Sequence, residues 1–319
     1  MRRSRSLVFF AAPIACGALG SVASCGSNTS TPDASTNDAT TPDVQEEPIV
    51  DAGPDVDLDA PPARLIWVAS PTTLYTFDPV THVVTRIADF DCSGEEMVDL
   101  AMNAKEELFG ITSESVVRID KTTGLCTVLS RGSQVLPYAT GFVAASSLEA
   151  GTEEWLGYRY VTMSSIDPDS GTLSFAGALG DNVGNVQASG DLVSLAGGKT
   201  YMTVFDLNPS SGDGIVEIDP NTGAGTAVAG FTGEEGLLGL AQWQGLLYAF
   251  STQGHVYLAQ PTDAGLNVKL VSITYDFGDA GAPEGGASDA GAEAGDASVD
   301  APFFIPFRGA AVTTRAPVQ

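Results

Sequence analysis

The sequence predicts an all-β protein, a five-bladed β-propeller whose ring is closed by the C-terminal strand. Three observations predict this fold. Apolar and β-branched runs of five to eight residues alternate with clusters of Gly, Asp, Asn, Ser and Pro, the pattern of short strands and turns. A phrase of the form Ile-Asp-(Pro/Lys)-x-(Ser/Thr)-Gly recurs along the chain, as in "EIDPNTG". One strand is missing from the first repeat, and a matching strand stands near the C-terminus.

The aspartate of the recurring phrase measures the length of one repeat. It falls at Asp78, Asp120, Asp167 and Asp219, and its degenerate fifth equivalent is Gln260. The successive steps are 42, 47, 52 and 41 residues. Repeats of about 40 to 50 residues that contain four short strands are typical of propeller blades.

Each repeat divides into strands A to D. The second reads "MVDLAMN", "LFGIT", "VVRID" and "CTVLS", and the fifth reads "LLGLAQW", "LLYAFS", "HVYLAQ" and "NVKLVSI". The third and fourth are looser, with "TGFVAASS" and "GDLVSLAGG" as their A strands. This division predicts which strand of each blade faces the central axis.

The first repeat supplies strands B, C and D as "LIWVAS", "LYTFD" and "VVTRIAD", but no A strand precedes them. "FRGAAVTT", at 307–314, has the A-strand pattern. We therefore expect the C-terminus to complete the first blade, which removes the exposed strand edges of an open ring. Five A strands give five blades, and the propeller is expected to span 63–315.

The recurring phrase connects strands C and D. Asp can accept hydrogen bonds from the next backbone N–H groups, Pro presets φ, and Gly accepts a positive φ, so each residue type suits a turn. The alternative is a ring of carboxylates that binds a cation. We favour the turn, because C–D turns lie towards the rim and are too far apart to share one ion.

The N-terminus predicts export and lipid anchoring. "MRRSRS" is basic and the following stretch is apolar, as in a signal peptide over 1–24. It ends in "VASC", which resembles a bacterial lipobox, so Cys25 is expected to become the lipid-modified first residue that attaches the protein to a membrane. The alternative is an ordinary signal peptide with an incidental Cys25.

Two acidic segments account for most of the formal net charge of −26. A tether over 25–62 and an Asp/Ala/Gly-rich insert over 276–301 hold few aromatic residues and no Lys or Arg, so both are predicted to be disordered. Basic residues elsewhere are sparse and unclustered. This excludes a nucleic-acid-binding protein, which needs Lys and Arg against phosphates.

Cys92 and Cys126 are the remaining even pair of an exported chain, which predicts one disulfide. The alternative is two buried thiols. A metal site is not expected, because the chain holds only two histidines, His82 and His255, and neither has a partner at ligand spacing. No cofactor is expected either.

The lipobox, the acidic tether and repeats of the form D-L-A…L-Y-G…I-D-x-x-T-G together resemble β-propeller lipoproteins of the myxobacterial (deltaproteobacterial) type, a family of unknown function. The resemblance covers the lipobox and about 63–315. It implies that Cys92 and Cys126 join neighbouring blades. Gly26 after Cys25, rather than Asp, favours an outer-membrane lipoprotein, periplasmic or surface-exposed, and we expect a monomer. The resemblance implies no activity.

Two functions remain open from the sequence. The first is a non-enzymatic scaffold that binds a protein or glycan. The second is a hydrolase or lyase acting on carbohydrate, which would need paired carboxylates in the central funnel. Aligned A strands place Asp99, Val143, Ser194, Gly239 and Gly309 in one funnel column. The candidate catalytic carboxylates of the second function are Glu95, Glu96, Asp99, Glu234 and Glu235.

Overall fold

The computed structural model describes residues 64–316, except 133, 196–197, 208–211, 228–234, 263–264 and 278–303. Every described residue belongs to one compact unit, 54–319. Cys25, the tether and Glu234 lie outside the described residues, as does nearly all of the predicted insert.

Five antiparallel sheets form the blades, and the five-bladed propeller predicted from the sequence is confirmed. From the inner to the outer strand they are β21 (Gly309–Ala311), β1 (Ile66–Ala69), β2 (Thr73–Phe77) and β3 (Val83–Asp89) in blade 1; β4 (Met97–Met102), β5 (Leu108–Thr112), β6 (Ser115–Ile119) and β7 (Cys126–Arg131) in blade 2; β8 (Ala139–Val143), β9 (Glu154–Arg159), β10 (Thr162–Ile166) and β11 (Leu173–Ala178) in blade 3; β12 (Val186–Ser194), β13 (Thr200–Asp206), β14 (Asp213–Ile218) and β15 (Gly225–Ala227) in blade 4; and β16 (Leu237–Trp243), β17 (Leu246–Ser251), β18 (Val256–Thr262) and β19 (Gly265–Val271) in blade 5. A short 3-10 helix, Ala145–Ser147, follows β8.

The C-terminal strand closes the ring as predicted. β21 pairs antiparallel with β1, with Trp67 opposite Ala311 and Ala69 opposite Gly309. A further strand, β20 (Thr274–Asp276), was not predicted from the sequence; it pairs in parallel with β3 on the outer side of blade 1. Asp276, predicted to begin the disordered insert, is therefore the last residue of a strand.

The recurring phrase forms the same hairpin turn in four blades. The backbone N–H four residues after each aspartate donates to that aspartate's carbonyl oxygen, at 2.8–2.9 Å. One carboxylate oxygen also accepts the backbone N–H two residues ahead, for example Thr122 to Asp120 and Asp169 to Asp167, both at 2.8 Å. These backbone donors lower the pKa of Asp120 and of Asp167. Formation of these turns is therefore sufficient to explain why the aspartates recur.

Each of these four turns also packs against the preceding blade, a role that the sequence analysis did not predict. Tyr248 of blade 5 donates to the Pro79 carbonyl of blade 1 at 3.3 Å, and Tyr158 of blade 3 donates to the Gly223 carbonyl of blade 4 at 2.7 Å. Ser130 of blade 2 donates to the Gly171 carbonyl of blade 3 at 2.8 Å. A Cβ added at Gly124 of blade 2 would lie 2.3 Å from the Asp89 carbonyl oxygen of blade 1.

Blade 5 departs from this pattern. Gln260, the expected equivalent of the turn aspartates, lies inside β18 and pairs with Asn267, so the hairpin is longer and turns after Thr262. The expectation that Gln260 lies in the C–D connection is therefore wrong, because Gln260 belongs to strand C and does not form the turn.

Buried aromatic rings fill the spaces between blades. Phe77 of blade 1 lies edge-on to Phe250 of blade 5, with ring centroids 5.5 Å apart, and Phe307 continues this stack. Phe109 of blade 2 contacts Trp155 of blade 3 at 5.2 Å. Burial of these rings accounts for much of the association between blades.

The predicted disulfide between Cys92 and Cys126 is confirmed. Cys92 lies in the connection from blade 1 to blade 2, and Cys126 begins the outer strand of blade 2. Asp91 and Leu125 form a parallel bridge beside it. The bond therefore fixes the connection between two blades to the second of them.

The propeller has two different faces. The turn face carries the A–B and C–D turns, and Arg64, the first described residue, lies there because it forms an ion pair with Asp78. The strand-start face is the opposite one, where the inner strands begin and the B–C turns lie. Two residue pairs lie at this face: Met97 opposite Thr112 in blade 2, and Gly309 opposite Ala69 in blade 1.

Candidate functional site

The inner strands converge so closely that glycine is required at several positions. A Cβ added at Gly141 would lie 1.8 Å from the Leu192 carbonyl oxygen, and one at Gly190 would lie 1.9 Å from that of Leu238. A cavity of about 10 Å³ remains between the inner strands, lined by residues such as Leu100 and Ala310. That is about the space one water molecule needs. An open funnel of the kind expected from the sequence is therefore not formed by these strands.

Two buried carboxyl groups meet at the axis. Asp99 on β4 and Asp191 on β12 are both fully buried, and their carboxyl groups adjoin each other. Asp99 accepts the backbone N–H groups of Leu100 at 2.8 Å and Thr140 at 2.5 Å. Asp191 accepts those of Leu240 at 2.6 Å and Ala310 at 2.5 Å. The pair thus engages all five inner strands, β4, β8, β12, β16 and β21.

Burial dominates the protonation of this pair. It raises the pKa of Asp99 from 3.8 to about 7. Burial, together with the neighbouring Asp99 charge, raises the pKa of Asp191 well above its ordinary value. Two adjacent carboxyl groups cannot both ionise cheaply away from water. The pair therefore keeps a proton to higher pH than an ordinary aspartate would.

Asp191 was missed by the sequence analysis, which placed Ser194 in the same column as Asp99. The structural equivalent of Asp99 is Asp191. In blade 2, the N–H group of Asn103 donates to the carbonyl of Glu107, and in blade 4 that of Leu195 donates to the carbonyl of Lys199. Asn103 and Leu195 are therefore equivalent, and each lies four residues after its aspartate. The shared Asp-Leu dipeptides, Asp99-Leu100 and Asp191-Leu192, were the signal that could have found it. Ser194 had been placed in that column because it precedes a Leu-Ala pair, as Asp99 does. In the structure, β12 has a register shift between Ala188 and Leu192.

Glu95 is held by neighbouring side chains within its own blade. It accepts hydrogen bonds from Thr112 and from Ser115, the latter at 3.1 Å, and forms an ion pair with Arg131. Burial alone would raise its pKa, but the three donors outweigh burial and lower it. A carboxylate held ionised in this way is a poor general acid.

Glu96 and Glu235 are exposed on the strand-start face, in two different grooves. Glu96 lines a groove of about 250 Å³ with Tyr138 and Arg308. Glu235 lines a groove of about 370 Å³ with Phe205 and acidic neighbours. The structure therefore separates the glutamates that the sequence analysis considered together, and Asp99 lies below both grooves in the core.

The two grooves adjoin, because Ser189 and Leu238 line both of them. We call the combined depression the axial recess; it is lined by Glu96, Met97, Val98, Tyr138, Ser189, Phe205, Asp206, Gly212, Asp213, Glu235, Gly236, Leu238 and Arg308. It mixes aromatic, apolar and charged side chains. The larger of its two grooves, at about 370 Å³, falls in the range of ligand sites in proteins, about 300 to 1,000 Å³. A separate groove of about 330 Å³ lies on the turn face beside Glu154 and Asp167.

Within the described ranges no three His, Cys, Asp or Glu residues are grouped so that they could hold a metal ion. No helix in this part of the chain is long and apolar enough to cross a membrane.

No protein family and no curated protein matches the sequence. Solved structures resemble the fold at low identity. A structure from a nidogen/laminin complex is 10% identical, covering 79% of this chain and 99% of its own, with a TM-score of 0.44. A symmetrical protein from a study of de novo evolutionary emergence is 16% identical, covering 65% and 90%, with a TM-score of 0.42. A gluconolactonase from Xanthomonas campestris is 13% identical, covering 66% and 75%, with a TM-score of 0.38.

Proposed function

We propose that this protein is a non-enzymatic binding scaffold of the cell envelope that recognises a protein or glycan at the axial recess. The observation that carries the proposal is the contrast between a closed axis and an open recess above it. Asp99 and Asp191 are fully buried and occupied by backbone donors, so a substrate does not reach them. The recess offers a concave surface with Tyr138, Phe205 and Arg308 available for contact.

The position of the recess fits a protein held on a stalk. Arg64, where the chain enters the propeller, lies on the turn face, and the recess lies on the strand-start face. A ligand can thus approach on the face opposite to Arg64. We further propose that the stalk is the acidic segment 25–62 and that Cys25 carries lipid that anchors it in the outer membrane.

The binding role is tested with the full chain on an array of envelope polysaccharide and peptidoglycan fragments, and by photo-crosslinking to envelope proteins. A photoreactive residue at Leu238 reports on the recess, and one at Lys269, exposed on the outer strand of blade 5, is the control. We expect a specific ligand to be captured from Leu238 only and its binding to be lost in Arg308→Ala but kept in Lys269→Ala. Equal capture at both positions contradicts the proposal.

The same material distinguishes the alternative enzyme. Turnover of a polysaccharide that disappears in Glu235→Gln or Glu96→Gln would replace the binding proposal with a hydrolase or lyase. We expect no turnover, because Glu96 and Glu235 line different grooves of the recess, which adjoin at Ser189 and Leu238.

Mass spectrometry of the mature N-terminus tests the anchor. We expect an acylated Cys25 as first residue and an unmodified, released protein in Cys25→Ser. A mature chain that begins elsewhere, or a free thiol at Cys25, would remove the lipoprotein assignment while leaving the binding proposal standing.

A further inference from the structure

We propose that a proton shared between Asp99 and Asp191 locks the C-terminal strand into the propeller axis, so that loss of this proton loosens the ring. This role is independent of what the axial recess binds. It gives the buried acidic pair a function as a proton-dependent clasp rather than as a catalytic site.

The hydrogen bonds at the axis require the proton. Asp191 Oδ1 is buried and has no donor among the other described groups. Its Oδ2 is already occupied by the N–H groups of Leu240 and Ala310. The carboxyl group of Asp99 adjoins that of Asp191. Two adjacent carboxyl groups can form a hydrogen bond only if one of them carries a proton. Without the proton, two negative charges would face each other at a fully buried site, where their repulsion is only weakly screened.

β21 is the element that depends most on the pair. It has three residues, and its partner in its own blade is β1 alone. Its Ala310 N–H donates to Asp191, and its Gly309 lies against Asp99, because an added Cβ there would be 2.4 Å from Asp99 Oδ1. Repulsion between the two carboxylates therefore acts directly on the strand that closes the ring.

Other charged groups do not compensate this repulsion. The inner strands that pack against the pair, β8, β16 and β21, contain no titratable residue. The nearest flanking charges in sequence are Glu96 before β4, Glu235 before β16 and Arg308 before β21, and all three side chains are exposed on the strand-start face. The change in charge at the axis therefore comes from Asp99 and Asp191 themselves.

The direction of the pH effect follows from the raised pKa values. The folded protein keeps protons that the unfolded chain releases near the ordinary aspartate pKa of 3.8. Stability from the pair is therefore complete below that pH and is lost as pH rises through about 7 and above. Each proton so linked lowers the folding equilibrium constant up to about tenfold per pH unit in this window.

The experiment measures thermal unfolding and backbone hydrogen exchange of the full chain between pH 5 and 9. In the natural protein we expect the exchange protection of the Ala310 amide, corrected for intrinsic rate, to fall about tenfold or more with rising pH. In Asp191→Asn, whose amide donates without ionising, we expect this protection to stay constant. Asp167→Asn, an exposed turn residue, is the control and should follow the natural protein. Equal pH dependence in Asp191→Asn and the natural protein overturns the proposal.

Infrared spectroscopy keeps the test decisive if Asp191→Asn does not fold. The natural protein should show a protonated-carboxyl band at pH 6 that weakens by pH 9. Glu153→Gln serves as the background, because burial also raises the pKa of Glu153. The absence of a protonated-carboxyl band at pH 6 would contradict the shared proton directly.

Discussion

At the scale of single residues, the recurring phrase acts through its glycine as well as its aspartate. Gly124 has φ of +71° and its Cα lies against the backbone of Asp89 in the preceding blade. Positive φ is a turn requirement, but the close approach is a requirement of blade packing. One sequence position therefore satisfies both a local and a long-range constraint.

Gly124→Ala is expected to destabilise the protein by more than its backbone conformation alone explains. Positive φ costs an alanine about 1–2 kcal/mol, and forcing a Cβ into occupied space adds about 1–3 kcal/mol. Gly132→Ala is a matched control, because Gly132 has φ of +77° and nothing within 4 Å of an added Cβ. Denaturant unfolding of both variants measures the difference, and equal losses would show that the turn does not press on blade 1.

The axial aspartates show what can be predicted residue by residue. Asp99 was singled out from the sequence, but as a funnel carboxylate, because nothing in one sequence distinguishes a buried pair from an exposed one. Its partner lies 92 residues away on a strand with an irregular register. The repeated Asp-Leu dipeptide was visible, whereas the convergence of the two side chains depends on the ring geometry.

At the scale of strands, the order of elements was predictable because turn chemistry repeats. Asp78, Asp120, Asp167 and Asp219 gave four C–D turns, and the unpaired first repeat gave the closing strand. β20 was not predictable, since its three residues follow directly on an outer strand and carry no turn signal of their own. The grooves of the axial recess were not predictable either, because they combine loops of several blades.

The closing strand leads to a prediction about truncation. A chain that ends at residue 303 lacks β21. The inner edge of β1 is then unpaired, and the hydrogen bond from the Ala310 N–H group to Asp191 is lost. We expect this chain to aggregate or to lose its cooperative thermal transition, as an exposed strand edge favours intermolecular pairing. A chain that ends at residue 316 keeps every described strand and is the control. Size-exclusion chromatography with light scattering and circular dichroism compare them; a monomeric, cooperative shorter chain would contradict strand closure.

The disulfide is expected to stabilise the protein chiefly through the unfolded chain. With a sequence separation of 34 residues, removal of Cys92–Cys126 should cost about 3–4 kcal/mol in the chain-entropy account. Urea unfolding of the Cys92→Ser/Cys126→Ser variant, compared with the natural protein before and after reduction, measures this loss. If reduction also lowers the stability of the double variant, the effect of reduction on the natural protein does not come from the Cys92–Cys126 bond.

At the scale of the whole molecule, two sets of carboxyl groups oppose each other in their pH dependence. The four turn aspartates have lowered pKa values, so their stabilisation is present above 3.8 and is lost as pH falls below it. Asp99, Asp191 and Glu153 have raised pKa values, so theirs is lost as pH rises. The two sets are located in different parts of the propeller.

Together they predict a stability maximum on the acid side of neutrality, at about pH 4–5. Thermal unfolding from pH 2.5 to 9 tests this, with the Asp99→Asn/Asp191→Asn variant as the comparison. We expect the alkaline side of the curve to flatten in this variant and the acid side to remain unchanged. A natural protein with maximal stability at pH 7 or above would contradict the assignment of signs.

The pairing of β1 with β21 also sets the order in which the molecule can be completed. The two strands lie about 240 residues apart, and loop closure over such distances is slow. During synthesis, the strands of the first blade emerge before any others and lack their inner strand until residues 309–311 appear. The nascent chain therefore carries an unpaired sheet edge while the four other blades are made. The step that finishes the first blade is the same step that finishes the ring.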